Sequence, residues 1–222
     1  MLTLCFDTNF NKTYIVLKKD GNVVVSKTLE SKNGNYHSAF FMPTLQEILK
    51  KQNILIKDID AIGVNIGPGS FTGIRAGITI ARVLCQQTNT KLIGINSLKI
   101  LSKINENESK TIVILDARKN RVYYAEFENN KTIIEPTLIE KDDLINKLDK
   151  SAYIITDKSI GEFLSEQNIK TIQYEENDQN IGLYLSNIVE EELKDENNDF
   201  HWAKIKPLYI QQPSITKPKE VK

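Results

Sequence analysis

Three glycines and a proline fall within seven residues, Gly67-Pro68-Gly69-Ser70-Phe71-Thr72-Gly73, just before an apolar stretch of helical spacing. Such a loop can do one of two kinds of work. Glycine admits backbone angles closed to other residues and proline stiffens a turn, so the loop can serve geometry alone. Alternatively, the free N–H groups at the start of the following helix can hold an anion. Ser70 or Thr72 can cap that helix. Composition leaves both readings open. A P-loop is excluded, because it ends in Gly-Lys-Ser/Thr and no lysine is present. The dinucleotide fingerprint GxGxxG is excluded as well, because the spacing is GxGxxxG and three strand-like segments precede it.

Few other residues offer chemistry. Asp7, followed by Thr8, and Asp116 both end apolar strand-like runs. Such carboxylates can hold a hydrated Mg2+ or bind local backbone amides, and the second role is the simpler one. Asp7, Thr8 and Asp116 are thus the candidates for a vestigial nucleotide site. His37 has Phe41, not a second histidine, four positions on, and His201 is isolated, so no metal site is expected. Cys5 and Cys85 sit in apolar segments and read as buried, reduced thiols. No cofactor is expected.

The 222 residues are 40% apolar and 26% charged, ordinary values for a globular chain. Lys+Arg and Asp+Glu balance at 29 each, which argues against a stand-alone nucleic-acid binder. The N-terminus lacks a basic start and a long apolar run, and no stretch approaches the ~18 apolar residues of a membrane span. The expected location is the cytoplasm, without membrane association.

The elements that must position these residues follow from the pattern. Residues 2–7, 12–19 and 22–29 read as strands, with Asp20-Gly21 as a hairpin turn. A helix follows within 37–52, where Phe41, Leu45, Ile48 and Leu49 form a stripe and Pro43 either kinks the helix or marks its first turn. A strand at 60–66, the glycine-rich turn, a helix at 71–88, a strand at 91–95 and a short helix at 97–104 complete the first half. The second half repeats the order: strands at 111–117, 121–128 and 132–139, with Asn129-Asn130 as a turn, then helices near 141–149, 159–166 and 180–194 alternating with strands at 152–156 and 169–173. Two βββαβα units predict an α/β protein of the actin-like/RNase H-like ATPase (ASKHA) fold. The first lobe is 1–104 and the second 105–205. A tail at 206–222 has the option of returning to the first lobe. From Pro213 on it is polar and reads as disordered or docked only on a partner.

The helix at 71–88 is apolar around much of its circumference, which implies burial on more than one side. Gly73, Ala76, Gly77 and Ala81 are small enough to admit another helix. The first helix or another subunit can supply the second covering layer. The candidate partner interface is Phe41, Leu45, Phe71, Ile74, Arg75, Ile78, Ala81 and Arg82; the arginines, seven apart on one face, read either as solvated side chains or as interface anchors.

GPGSFTGIRAGITIARVL at 67–84 resembles the signature of the TsaB (YeaZ) family. Asp7-Thr8-Asn9 is similar to that family's Asp-Thr-Ala, with Asn9 in place of alanine. Gly94–Leu98, Leu115–Glu128 and Pro207-Leu208-Tyr209-Ile210 are similar to further family segments, whereas 140–200 matches thinly. The resemblance implies a non-catalytic subunit for the synthesis of N6-threonylcarbamoyladenosine in tRNA. It would pair through its N-terminal helices with the catalytic paralogue TsaD, be joined by the ATPase TsaE, form a homodimer when alone, and meet tRNA only through the complex. Two rivals remain: a small-molecule kinase or ATPase of the same fold, which needs a second glycine-rich loop where only Thr156–Gly161 is on offer, and a tRNA-binding accessory module.

Overall fold

A computed structural model describes residues 1–30, 37–107, 109–176 and 180–211. The side chains of 37–39, and so the readings attached to His37, lie outside the described residues, as does the tail beyond Gln211.

The first half runs β1 (Leu2–Asp7), β2 (Lys12–Lys19), β3 (Asn22–Glu30), α1 (His37–Lys51), β4 (Ala61–Asn65), α2 (Phe71–Thr88), β5 (Lys91–Ile95) and α3 (Ser97–Ser102). The second runs β6 (Thr111–Arg118), β7 (Arg121–Glu128), β8 (Lys131–Glu140), α4 (Lys141–Lys147), β9 (Tyr153–Thr156), α5 (Lys158–Glu166), β10 (Ile172–Gln173) and α6 (Ile181–Glu192). The sheets have the strand orders β3-β2-β1-β4-β5 and β10-β9-β6-β7-β8, the same topology written in opposite directions. In each, the opening three strands are antiparallel and the later ones add in parallel. The turns Asp20-Gly21 and Asn129-Asn130 have positive φ at both residues, the backbone a tight two-residue hairpin demands. Pro43 lies inside α1.

Three apolar layers hold the sheets and helices together. One lies between the first sheet and α1/α2, with Phe6, Ile15, Phe41, Leu45, Ile62 and Ile78. The second fills the space between the two sheets, around α3 and α6. The third joins the second sheet to α4 and α5. Covered on both faces, β1 is buried along its whole length, as a central strand must be.

Residues 1–104 supply the first sheet and 105–205 the second, but α6 crosses between them. Ile181, Leu185, Ile188 and Val189 share a core with Cys5, Val16 and Ala61. Gly63 permits this approach, since a Cβ there would lie 2.4 Å from Val189 Cγ2. Lys18 Nζ of β2, 6% exposed, donates to Asn187 Oδ1 (2.9 Å) and to Glu190 Oε2 (2.6 Å) of α6. Removing one member of a buried pair leaves the other charge without compensation. Lys18→Ala should therefore cost about 3 kcal/mol, while Lys18→Met combined with Glu190→Leu should regain most of it. Denaturant titration of both variants beside the parent checks this.

Candidate functional site

The end of β1, the end of β4 and the glycine-rich loop meet in a hydrogen-bonded knot. Asp7 is fully buried. Its Oδ1 accepts from the Asn9 backbone N–H (2.7 Å) and its Oδ2 from Asn65 Nδ2 (2.7 Å). Asn65 Oδ1 accepts in turn from Gly67 N (2.9 Å) and Ser97 Oγ (2.9 Å). Asn9 Nδ2 donates to the Asn65 carbonyl, and Asn9's own carbonyl accepts from Ser70 N. Through these bonds the loop 67–70 is tied to both strands, with the Gly67–Pro68 peptide cis and Gly67 at φ +99°.

Helix α2 starts directly on this knot. Ser70, not Thr72, caps it, its Oγ accepting from Gly73 N (3.2 Å). Thr8 Oγ1 donates to the Gly73 carbonyl (2.7 Å). A Cβ on Gly73 would lie 2.0 Å from the Thr8 carbonyl oxygen, and one on Gly77 would lie 2.5 Å from Thr8 Oγ1. These glycines let the helix sit on the β1 end, so their small size serves an approach within the chain and not contact with another helix. The N–H groups of Ser70 and Gly73 are spent inside the protein. Gly73→Ala should force the helix start away from Thr8 and cost about 1–3 kcal/mol, visible as a lower thermal midpoint.

Burial raises Asp7 from the ordinary 3.8 to about 6, and the Asn65 amide and nearby backbone N–H groups pull partly against it. The folded chain thus holds the Asp7 proton to higher pH than the unfolded chain. Asp7's contribution to stability is greatest below pH 4 and declines as pH rises to about 6, by roughly 3 kcal/mol in all. Asp7→Asn should remove this decline from a stability profile taken by denaturant titration between pH 4 and 7.

The second half offers a looser counterpart. Asp116 is exposed, and its Oδ1 accepts from Arg118 N (2.9 Å). Asp157, raised above the ordinary carboxylate range by burial, accepts from Asp116 N and caps α5 through Ile160 N (2.9 Å). Between the halves, the rings of Phe10 and Tyr174 pack 5.1 Å apart. Asp7 and Thr8 are thus sealed in while Asp116 faces solvent, and all three bond nearby backbone. A surface cleft of about 580 Å³ lies away from the knot against Asn105, Tyr153 and Gln173, and one of about 430 Å³ lies beside it against Ile66, Asn96, Lys99 and Leu208. Among the described residues, no group of three His, Cys, Asp or Glu side chains is placed to hold a metal, and no helix is long and apolar enough to cross a membrane. Cys5 and Cys85 are both buried and unbridged, and burial pushes each thiol up to about 12.

The expected interface residues divide into two groups. Phe41, Leu45, Ile74, Ile78 and Ala81 are each at most 3% exposed and pack in the chain's own first core, so they present no surface to a partner. A helical stripe identifies an inward face but not what covers it, and here the first sheet does. Phe71, Arg75 and Arg82 lie at the flank of α2, beside a strap formed by residues 200–211. Arg75 Nε donates to Tyr209 Oη (2.9 Å) and its guanidinium lies 3.9 Å from the Phe71 ring centroid, while Arg82 lies 5.5 Å from that of Trp202. Leu208 N donates to the Ile66 carbonyl and Leu92 N to that of Phe200. The outward face of α2 carries Thr72, Ala76, Thr79 and Val83, the last 51% exposed. Asn65 and Ser97 escaped sequence reasoning, as did the part of the strap before residue 206, whereas the return of the chain from 206 to the first lobe was among the expectations; Asn65 at the end of an apolar strand facing the glycine loop was the one available signal.

Two lobes of one topology, each opening with three antiparallel strands and continuing in βα units, define the actin-like, RNase H-like ATPase (ASKHA) class of fold. A solved structure of YeaZ from Pseudomonas aeruginosa shares it, with a TM-score of 0.72 over 94% of this chain and 99% of that one at 16% identity. A family model described as TsaD, tRNA N6-adenosine threonylcarbamoyltransferase, matches residues 24–187. The tRNA threonylcarbamoyladenosine biosynthesis protein TsaB of Escherichia coli is 30% identical over 134 residues, 59% of this chain and 57% of that protein. The TsaB of Buchnera aphidicola from Acyrthosiphon pisum is 28% identical over 157 residues, 66% of this chain and 70% of its own length. The chain belongs to the TsaB (YeaZ) family, which is related to TsaD.

Proposed function

We propose that this chain is a non-catalytic subunit in the synthesis of N6-threonylcarbamoyladenosine on tRNA. It acts by pairing with the catalytic protein TsaD, the ATPase TsaE joins the pair, and the chain self-associates when alone. The observation that carries the reading is the outward face of α2. Thr72, Ala76, Thr79 and Val83 point away from the sheet over three turns with no charge among them, and Phe40 of α1 is 62% exposed. An uncharged helix face backed by a rigid core suits helix–helix pairing. The names of the relatives supply the tRNA-modification context. The sealed Asp7 and Thr8, and the position of Gly161 inside α5 and not in a phosphate-cradling loop, speak against phosphoryl transfer by the chain alone.

The test must use exposed positions. Ile78→Asp places a carboxylate in the core, where Ile78 is 3% exposed, and should unfold the chain. Thr79→Arg and Val83→Glu should leave the melting temperature within a few degrees and weaken pairing with the TsaD of the same cell at least ~10-fold, the effect of about 1.4 kcal/mol. Size-exclusion chromatography with light scattering on the mixture reads this. Wild-type pairing by both folded variants would sink the proposal.

A further inference from the structure

Acidic residues are missing from two segments of this balanced chain. None occurs between Asp60 and Glu106, and none between Asp199 and Glu220. The fold lays residues 200–211 of the second segment beside the first, as a strap running antiparallel along the flank of α2. Trp202 lies by Arg82, and Tyr209 lies two turns nearer the helix start by Arg75, about 10 Å along the axis.

At each place a cation meets an aromatic ring. Arg75 lies 3.9 Å from the Phe71 ring centroid and 5.9 Å from that of Tyr209, and the two rings are 5.5 Å apart. Phe71 is 42% exposed and Tyr209 39%. Arg82 lies 5.5 Å from the Trp202 ring, which stacks on His201. Lys206 is exposed on the strap between them. Among the described residues Arg75, Arg82 and Lys206 have no ion-pair partner, whereas Lys204 pairs with Asp199 and Lys99 with Glu192. Positive charge without counter-charge, interleaved with exposed rings, suits a flexible polyanion that carries planar bases.

We infer that the ridge formed by Phe71, Arg75, Arg82, Trp202, Lys206 and Tyr209 binds single-stranded or looped RNA, stacking bases on the exposed rings and meeting phosphates with the basic heads. The acidic run before Phe200 limits the path to the stretch from Trp202 to Tyr209. The inference rests on the tRNA context proposed above and adds a contact that this chain itself makes. The ridge lies on the flank of α2, next to the outward face assigned to pairing, so one helix would serve RNA and protein at once.

The experiment is fluorescence anisotropy of a labelled, unmodified tRNA anticodon stem-loop titrated with the full chain at 50 to 200 mM salt. Three phosphate contacts predict a log–log salt slope of about −2. Tyr209→Ala and Arg82→Gln should each weaken binding roughly 10-fold. Lys206→Gln, which removes an exposed side chain and leaves the packing intact, should flatten the slope by about 0.7. Lys170→Ala, on the other lobe, should change nothing. No binding at 50 mM salt, or binding that ignores all three ridge variants, overturns the inference. So do ridge variants that lose the light-scattering heteromer with TsaD while holding RNA as the parent does, because the ridge is then a protein contact. Ridge-dependent RNA binding by a chain that forms no heteromer would instead retain the ridge and reject the pairing proposal.

Discussion

A carboxylate without access to water must be given donors by the chain, and Asp7 receives them from Asn9 and Asn65. That requirement organises the first lobe. Asn65 can serve Asp7 only if β4 lies beside β1, and its free oxygen then fixes Gly67 and Ser97. One buried charge thereby sets the end of β4, the path of the glycine loop and the start of α3. Through these bonds Asp7 ties the frame together.

The same knot decides where α2 begins and how it is rotated. With Gly73 and Gly77 against Thr8, the helix has no freedom to turn, because any side chain at either position would collide with the β1 end. Ile74, Ile78 and Ala81 must then enter the core, and Thr72, Ala76, Thr79 and Val83 must face out. The flank between them receives the strap, where Arg75 and Arg82 find rings instead of carboxylates. Helix α6 fixes the other side of the sheet through Gly63 and the Lys18–Glu190 pair, so the first lobe is finished by residues from the far end of the chain.

Local signals were legible in the sequence wherever the chemistry was local. Asp20-Gly21 and Asn129-Asn130 determine their hairpins because the backbone of such turns requires positive φ, which these residues accept most readily. The apolar spacing placed α2 at 71–88, and the alternation of strands and helices gave two like halves and with them the class of fold. The run 67–84 was enough to mark the family. Tertiary structure alone decided which side of α2 is inside, that Asp7 is sealed while Asp116 is open, and which rings of the returning strap meet Arg75 and Arg82. Periodicity fixes an angle around a helix axis but not the layer that covers it, and the ionisation of a carboxylate depends on donors brought from distant parts of the chain. Those are properties of the assembled neighbourhood, absent from any single stretch of residues.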